Sequence, residues 1–137
     1  MDKHEVKTSF NSGMSFTATI NGHAVTMDSN DADGHHTGPS PKRLMLAALA
    51  GCTGIDVVSI LNKMKVSFSD FSIDVEAFLT EEHPKIYKDV LVTYRIKLEE
   101  GDRPKMEKAV KLSEDKYCGV SAMFRAFSSV NVQIIYL

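Results

Sequence analysis

The chain has 137 residues, of which 43% are hydrophobic and 25% charged. That size and balance predict one globular domain, residues 1–137, and exclude a disordered chain. Lys+Arg 16 against Asp+Glu 18 leave a formal net charge of −2, with no basic stripe for nucleic acid and no acidic tail. The longest apolar run, residues 44–52, is shorter than a bilayer-spanning segment. Residues 1–7 carry no apolar core of a signal peptide, so the expectation is a cytoplasmic protein with no membrane partner.

In chain order, residues 6–10, 14–20 and 23–28 alternate apolar and polar positions and predict three strands. Asn11-Ser12-Gly13 and Asn21-Gly22 punctuate them, and the second pair is a two-residue hairpin signal. Residues 29–40 are polar and glycine-bearing, a loop. Its adjacent His35 and His36 lack the spacing of metal ligands and read as loop residues. The acidic run at Asp28, Asp31 and Asp33 lacks the glycine and glutamate of a calcium loop. No metal site is expected.

Ser40 followed by Pro41 marks a helix start, and the pattern from Leu44 to about Lys65 is helical. Residues 44–52 have no polar face, which predicts a helix start buried all round, with part of its cover from a second subunit. Residues 68–79 and 86–98 then read as two longer strands. A short helix opens at Asp102-Arg103-Pro104 and runs to about Leu112, and another begins near Lys116-Tyr117-Cys118. Residues 130–137 form a last strand. The order βββ-α-ββ-α-α-β defines an α+β fold.

The chain has 2 cysteines, Cys52 and Cys118, too few for a disulfide framework and not in a CxxC pair. Cys52 falls mid-helix, where burial disfavours the thiolate, and the charge of Asp56 one turn later adds to that. Asp56 has a plain structural reading as well, as a carboxylate bonded to backbone or to another subunit. Cys118 falls where a helix begins, and exposed amides with the helix dipole favour a thiolate there. Ser121, one turn on, is placed for a local hydrogen bond. Phe10, Phe16, Met45, Met123 and Phe124 read as core, or equally as the lining of an apolar pocket.

The stretch SPKRLMLAALAGCTGIDVV at residues 40–58 resembles the central-helix motif of OsmC/Ohr peroxiredoxin-like proteins. CGVS at residues 118–121 resembles their second motif, usually Cys-Pro-Val-Ser, and the element order agrees over essentially the whole chain. The resemblance implies an antiparallel sheet packed around a long central helix, in an intertwined homodimer with active sites at the subunit interface. It implies a peroxidatic Cys52 attacking an organic hydroperoxide and a resolving Cys118 that traps the sulfenic acid as a disulfide. It implies no bound cofactor; an external dithiol, often protein-bound lipoyl, is the reductant.

The family's peroxidases activate the first thiolate with an arginine held by a glutamate. No arginine precedes Arg43 in this chain, and Lys42 and Arg43 stand near the place of that glutamate. Arg43 is one candidate to activate the thiol or contact substrate, as are Arg125 and Asp56. In a continuous helix nine residues separate Arg43 from Cys52 by about 13 Å along the axis and roughly 180° around it, so contact within one chain is not expected. Arg125 lies seven residues past Cys118, on the same helical face. Cations in a first helical turn oppose the dipole, so Lys42 and Arg43 are either solvated or hold an anionic group. Two functions follow: a thiol peroxidase, or a dimer of the same fold that binds a small apolar ligand or partner at its interface without peroxide turnover.

Overall fold

The computed structural model describes residues 1–137 and confirms the predicted α+β element order. By contacts the chain falls into two compact units, Met1–Met45 and Leu46–Leu137.

In the first unit, β1 (Lys7–Phe10), β2 (Phe16–Ile20) and β3 (His23–Met27) form an antiparallel sheet in that order. The β2–β3 turn is Asn21-Gly22, with φ of 37° and 88°. Both residues of a tight hairpin turn need positive φ, and asparagine and glycine tolerate it best. The following loop is pinned by Asp28, whose carboxylate accepts from Ser29 N–H at 2.7 Å, Thr37 N–H at 3.1 Å and Thr37 Oγ1 at 2.6 Å. Those bonds, led by the Thr37 hydroxyl, hold its pKa below the usual value. A Cβ at Gly38 would collide with the carbonyl of Thr26, so the loop cannot close with a larger residue there.

In the second unit, β4 (Phe68–Leu79), β5 (Tyr87–Leu98) and β6 (Ser129–Tyr136) form a separate three-stranded sheet. β4 pairs antiparallel with β5, but β6 runs parallel to β5, with Val90 opposite Val130 and Tyr94 opposite Ile134. The connection that makes this possible carries α2 (Arg103–Leu112) and α3 (Gly119–Phe127), because parallel neighbours need a crossover rather than a tight turn.

The long helix α1 spans Pro41–Lys63, beginning at the expected Pro41. Leu49, Thr53, Val57 and Leu61 are its fully buried positions, one every four residues, so a single stripe of the helix faces inward. Within one chain the helix start is therefore covered along that stripe only. Met45 remains 45% and Ile55 73% exposed within one chain. By length and composition α1 as a whole, with an 18-residue window of mean hydropathy 2.0, is sufficient to cross a membrane, which the nine-residue run alone was not. Here its buried stripe joins Val90, Val92 and Ile96 of β5 and Met106, Ala109 and Val110 of α2 in one core.

Of the five residues read as core or pocket lining, only Phe124 is buried. Phe10, Phe16, Met45 and Met123 are all exposed in the single chain. Replacement of fully buried Leu61 by alanine is expected to lower unfolding stability by about 2–5 kcal/mol, read from the urea midpoint.

Candidate functional site: a cysteine pair beside a buried hydroxyl chain

Cys52 and Asp56 lie one turn apart on α1, and Cys118 precedes α3. The two sulfur atoms and a carboxylate oxygen of Asp56 all lie within 4.8 Å of one another. Both thiols are free, Cys52 half-buried and Cys118 buried.

The chain reaches Cys118 through an irregular turn. After α2, residues Ser113–Tyr117 form a π-helical turn, and the Cys118 N–H closes it on the Ser113 carbonyl at 2.8 Å. Cys118 then leaves helical geometry, with φ −76° and ψ 100°, and caps α3. Its Sγ accepts the Ser121 N–H at 3.3 Å. The amide donor favours a thiolate, as the helix-start position predicted, but burial outweighs it. Desolvation, with the neighbouring Cys52 and the charge of Asp56 adding to it, pushes the Cys118 thiol up to about 12. Cys118 is therefore a protonated thiol at neutral pH, which corrects the expectation from its position alone.

Beside the cysteines runs a chain of buried hydroxyls. Ser113 Oγ donates to Asp56 Oδ2 at 3.0 Å. Thr53 Oγ1 lies 2.9 Å from Ser113 Oγ and 2.6 Å from the Tyr94 hydroxyl. Tyr94 in turn reaches Glu114 Oε1 at 3.3 Å. Three hydroxyls thus span four links between two carboxylates. Each hydroxyl has one proton to donate, so with both carboxylates ionised one link lacks a proton. With Ser113 donating to Asp56 and Tyr94 donating to Glu114, the gap falls at one of the two Thr53 links, and the rotation of the Thr53 hydroxyl decides which. Burial, reinforced by Glu114, raises the pKa of Tyr94, so it serves as a neutral phenol throughout.

Glu114 is buried and held from its other side. Ser121 Oγ donates to Oε2 at 2.8 Å, Arg125 Nη1 donates to the same oxygen at 3.0 Å, and Arg125 Nη2 donates to the Glu114 carbonyl. The guanidinium of Arg125, a candidate activator, is thus committed to Glu114 and to Ser121 Oγ at 2.9 Å. The other candidate cation, Arg43, is exposed and donates to Ser40 Oγ at 3.1 Å.

The structure therefore brings Cys52, Cys118 and Asp56 together and assigns Arg125, itself exposed, to an ion pair with the buried Glu114. Thr53, Tyr94, Ser113 and Glu114 were not singled out by sequence. Thr53 and Tyr94 carried a signal: each interrupts an inward apolar series, Leu49–Thr53–Val57–Leu61 on α1 and Val92–Tyr94–Ile96 on β5. A polar group there needs a buried partner. Glu114 carried none.

The family model described as OsmC-like protein matches residues 34–133. The chain belongs to the OsmC-like family. Protein YhfA of Escherichia coli K12 is 31% identical over 125 residues, covering 90% of each chain. Among solved structures, a hypothetical protein from Aquifex aeolicus VF5 superposes with a TM-score of 0.85 at 29% identity, over 100% of this chain and 99% of that one. The organic hydroperoxide resistance protein OhrB of Bacillus subtilis superposes with a TM-score of 0.65 at 19% identity, over 98% of both chains, a likeness of fold.

Two outcomes follow from the site's electrostatics. Because the Cys118 pKa is raised on folding, its contribution to stability is complete below the unfolded thiol value near 9 and is lost as pH rises toward about 12. Denaturant midpoints should therefore fall between pH 9 and pH 12, and Cys118→Ala should flatten that decline. Arg125→Ala strands the Glu114 carboxylate and should cost about 1–3 kcal/mol, measured by urea unfolding at pH 7.

Proposed function

We propose that this protein reduces organic hydroperoxides with its cysteine pair, Cys52 as the attacking thiol and Cys118 as the resolving one. The observation that carries this reading is the approach of the two sulfurs to within 4.8 Å, which sets the two thiols side by side as a disulfide pair requires. The difference in burial supports the assignment. Cys52 is the more accessible sulfur, whereas Cys118 is enclosed and held as a thiol, suited to wait for a sulfenic acid rather than to meet substrate.

The chemistry balances in three steps. Cys52 loses its proton to Asp56, and the thiolate attacks the distal peroxide oxygen. The O–O bond breaks, and the alkoxide leaves as the alcohol with that proton. The Cys118 sulfur then displaces hydroxide from the Cys52 sulfenic acid, forming the disulfide and releasing water. A dithiol, with lipoyl as the candidate group, restores both thiols and is itself oxidised to a disulfide. Ser113, at the end of the hydroxyl chain, donates a hydrogen bond that holds the Asp56 carboxylate in place.

The functional unit we propose is a homodimer in the cytoplasm. The face of α1 opposite its buried stripe is small and apolar, with Gly51, Gly54, Ile55 and Val58 forming a groove of about 750 Å³ with Phe71 and Ile73 of β4. A second copy of the helix would cover it.

A second reading, an interfacial binder of small apolar ligands that does not turn over peroxide, is favoured by the commitment of Arg125 to Glu114, which leaves that cation engaged. The two part on one experiment. Reduced protein treated with a stoichiometric organic hydroperoxide should lose both thiols within seconds to minutes and two hydrogens in mass. Cys52→Ser should abolish peroxide consumption, and Cys118→Ser should stop at the sulfenic acid. Thiols that persist unchanged would reject the peroxidase and leave the binder.

A further inference from the structure

Cys52, Asp56 and Cys118 meet a second chemical requirement, independent of redox turnover. We propose that these three side chains form a binding site for a thiophilic divalent cation, zinc being the best fit. The donor set is two sulfurs and one carboxylate oxygen, mutually within 4.8 Å. Tetrahedral zinc, with bonds of about 2.3 Å to sulfur and about 2.0 Å to oxygen, needs its ligands roughly 3.5–3.8 Å apart. Each pair must therefore close by about 1 Å or a little more at most, within the reach of side-chain torsions.

The scaffold suits this. Cys52 and Asp56 stand at i and i+4 on one face of α1, so a regular helix holds two ligands. Cys118 comes from the capping position of α3 and completes the triangle. The surrounding hydrogen bonds are those that orient metal ligands: Ser113 Oγ on Asp56 Oδ2 at 3.0 Å, and the Ser121 N–H on Cys118 Sγ at 3.3 Å. Three protein ligands leave one tetrahedral position, which water or an added ligand fills. The two thiol protons pass to solvent on binding and no electrons move. Two thiolates and a carboxylate around a divalent ion leave one net negative charge. Calcium and magnesium, which require oxygen ligands, are excluded by the sulfurs.

The cation and an intramolecular disulfide are mutually exclusive, since each uses both sulfurs. The proposal needs only the two thiols and the carboxylate, and stands whether or not hydroperoxides are turned over.

The test is anaerobic titration of the fully reduced, metal-free protein with Co²⁺. One cobalt per chain is expected, with thiolate-to-cobalt charge-transfer absorption and the intense visible bands of a tetrahedral ion, displaced by Zn²⁺. The disulfide form should give no such absorption, and Asp56→Asn should bind at least about tenfold more weakly. The absence of charge-transfer absorption in the reduced wild-type protein overturns the proposal. So does full-strength absorption in a folded Cys52→Ser or Cys118→Ser variant. A further reading needs no substitution: one equivalent of Zn²⁺ should slow alkylation of both wild-type thiols, and an unchanged rate for either overturns the site.

Discussion

The second unit is organised around one buried threonine. Thr53 faces inward from the middle of α1, on a stripe otherwise built of leucine and valine, and its hydroxyl is within hydrogen-bonding distance of both Tyr94 and Ser113. An unpartnered hydroxyl in that position would cost on the order of 1–3 kcal/mol. The helix, strand β5 and the end of α2 must therefore meet in a single register. That register also brings Cys52, the residue before Thr53, to Cys118, five residues after Ser113. The apolar contacts around it supply most of the burial, yet they tolerate sliding, whereas the hydrogen bonds do not.

The same network explains why two thiols so close together differ. Cys118 is enclosed by the elements that Thr53 aligns, and its solvation loss exceeds what the Ser121 amide returns. Cys52 lies half-buried on the neighbouring flank of the helix. An electrostatic link then runs from Asp56 through three hydroxyls to Glu114, and on to Arg125. A run of short polar contacts thus joins the cysteine site to the ion pair between Glu114 and Arg125 of α3.

Much of this was legible in the residues. The bounds of β4, the hairpin at Asn21-Gly22, the start of α1 at Pro41 and the cysteine-bearing motifs all follow from local pattern, because alternation, turn chemistry and capping act over a few positions. What escaped is what long-range packing decides. Nothing in residues 129–136 states that they run parallel to β5 rather than antiparallel. Glu114 looks like any helical glutamate until Arg125 and Ser121 enclose it. The protonated state of Cys118 departs from what its place at a helix start suggests, because that place can be read locally, whereas its burial cannot. Phe10, Phe16, Met45 and Met123 read as core or as pocket lining, and local pattern does not tell that one chain leaves them exposed.

The π-helical turn at Ser113–Tyr117 has a consequence for chain length. It holds one residue more than a regular turn would, and an α-helix advances about 100° per residue. Loss of one residue within that segment would restore ordinary helical phase, and would swing whatever follows by more than a quarter of a circle. The second thiol would then point along a different azimuth from α1 with every chemical group intact. Whether the two sulfurs can meet is thus set by a residue count, and a chain of this fold can keep both cysteines and still lose their partnership through a single-codon deletion.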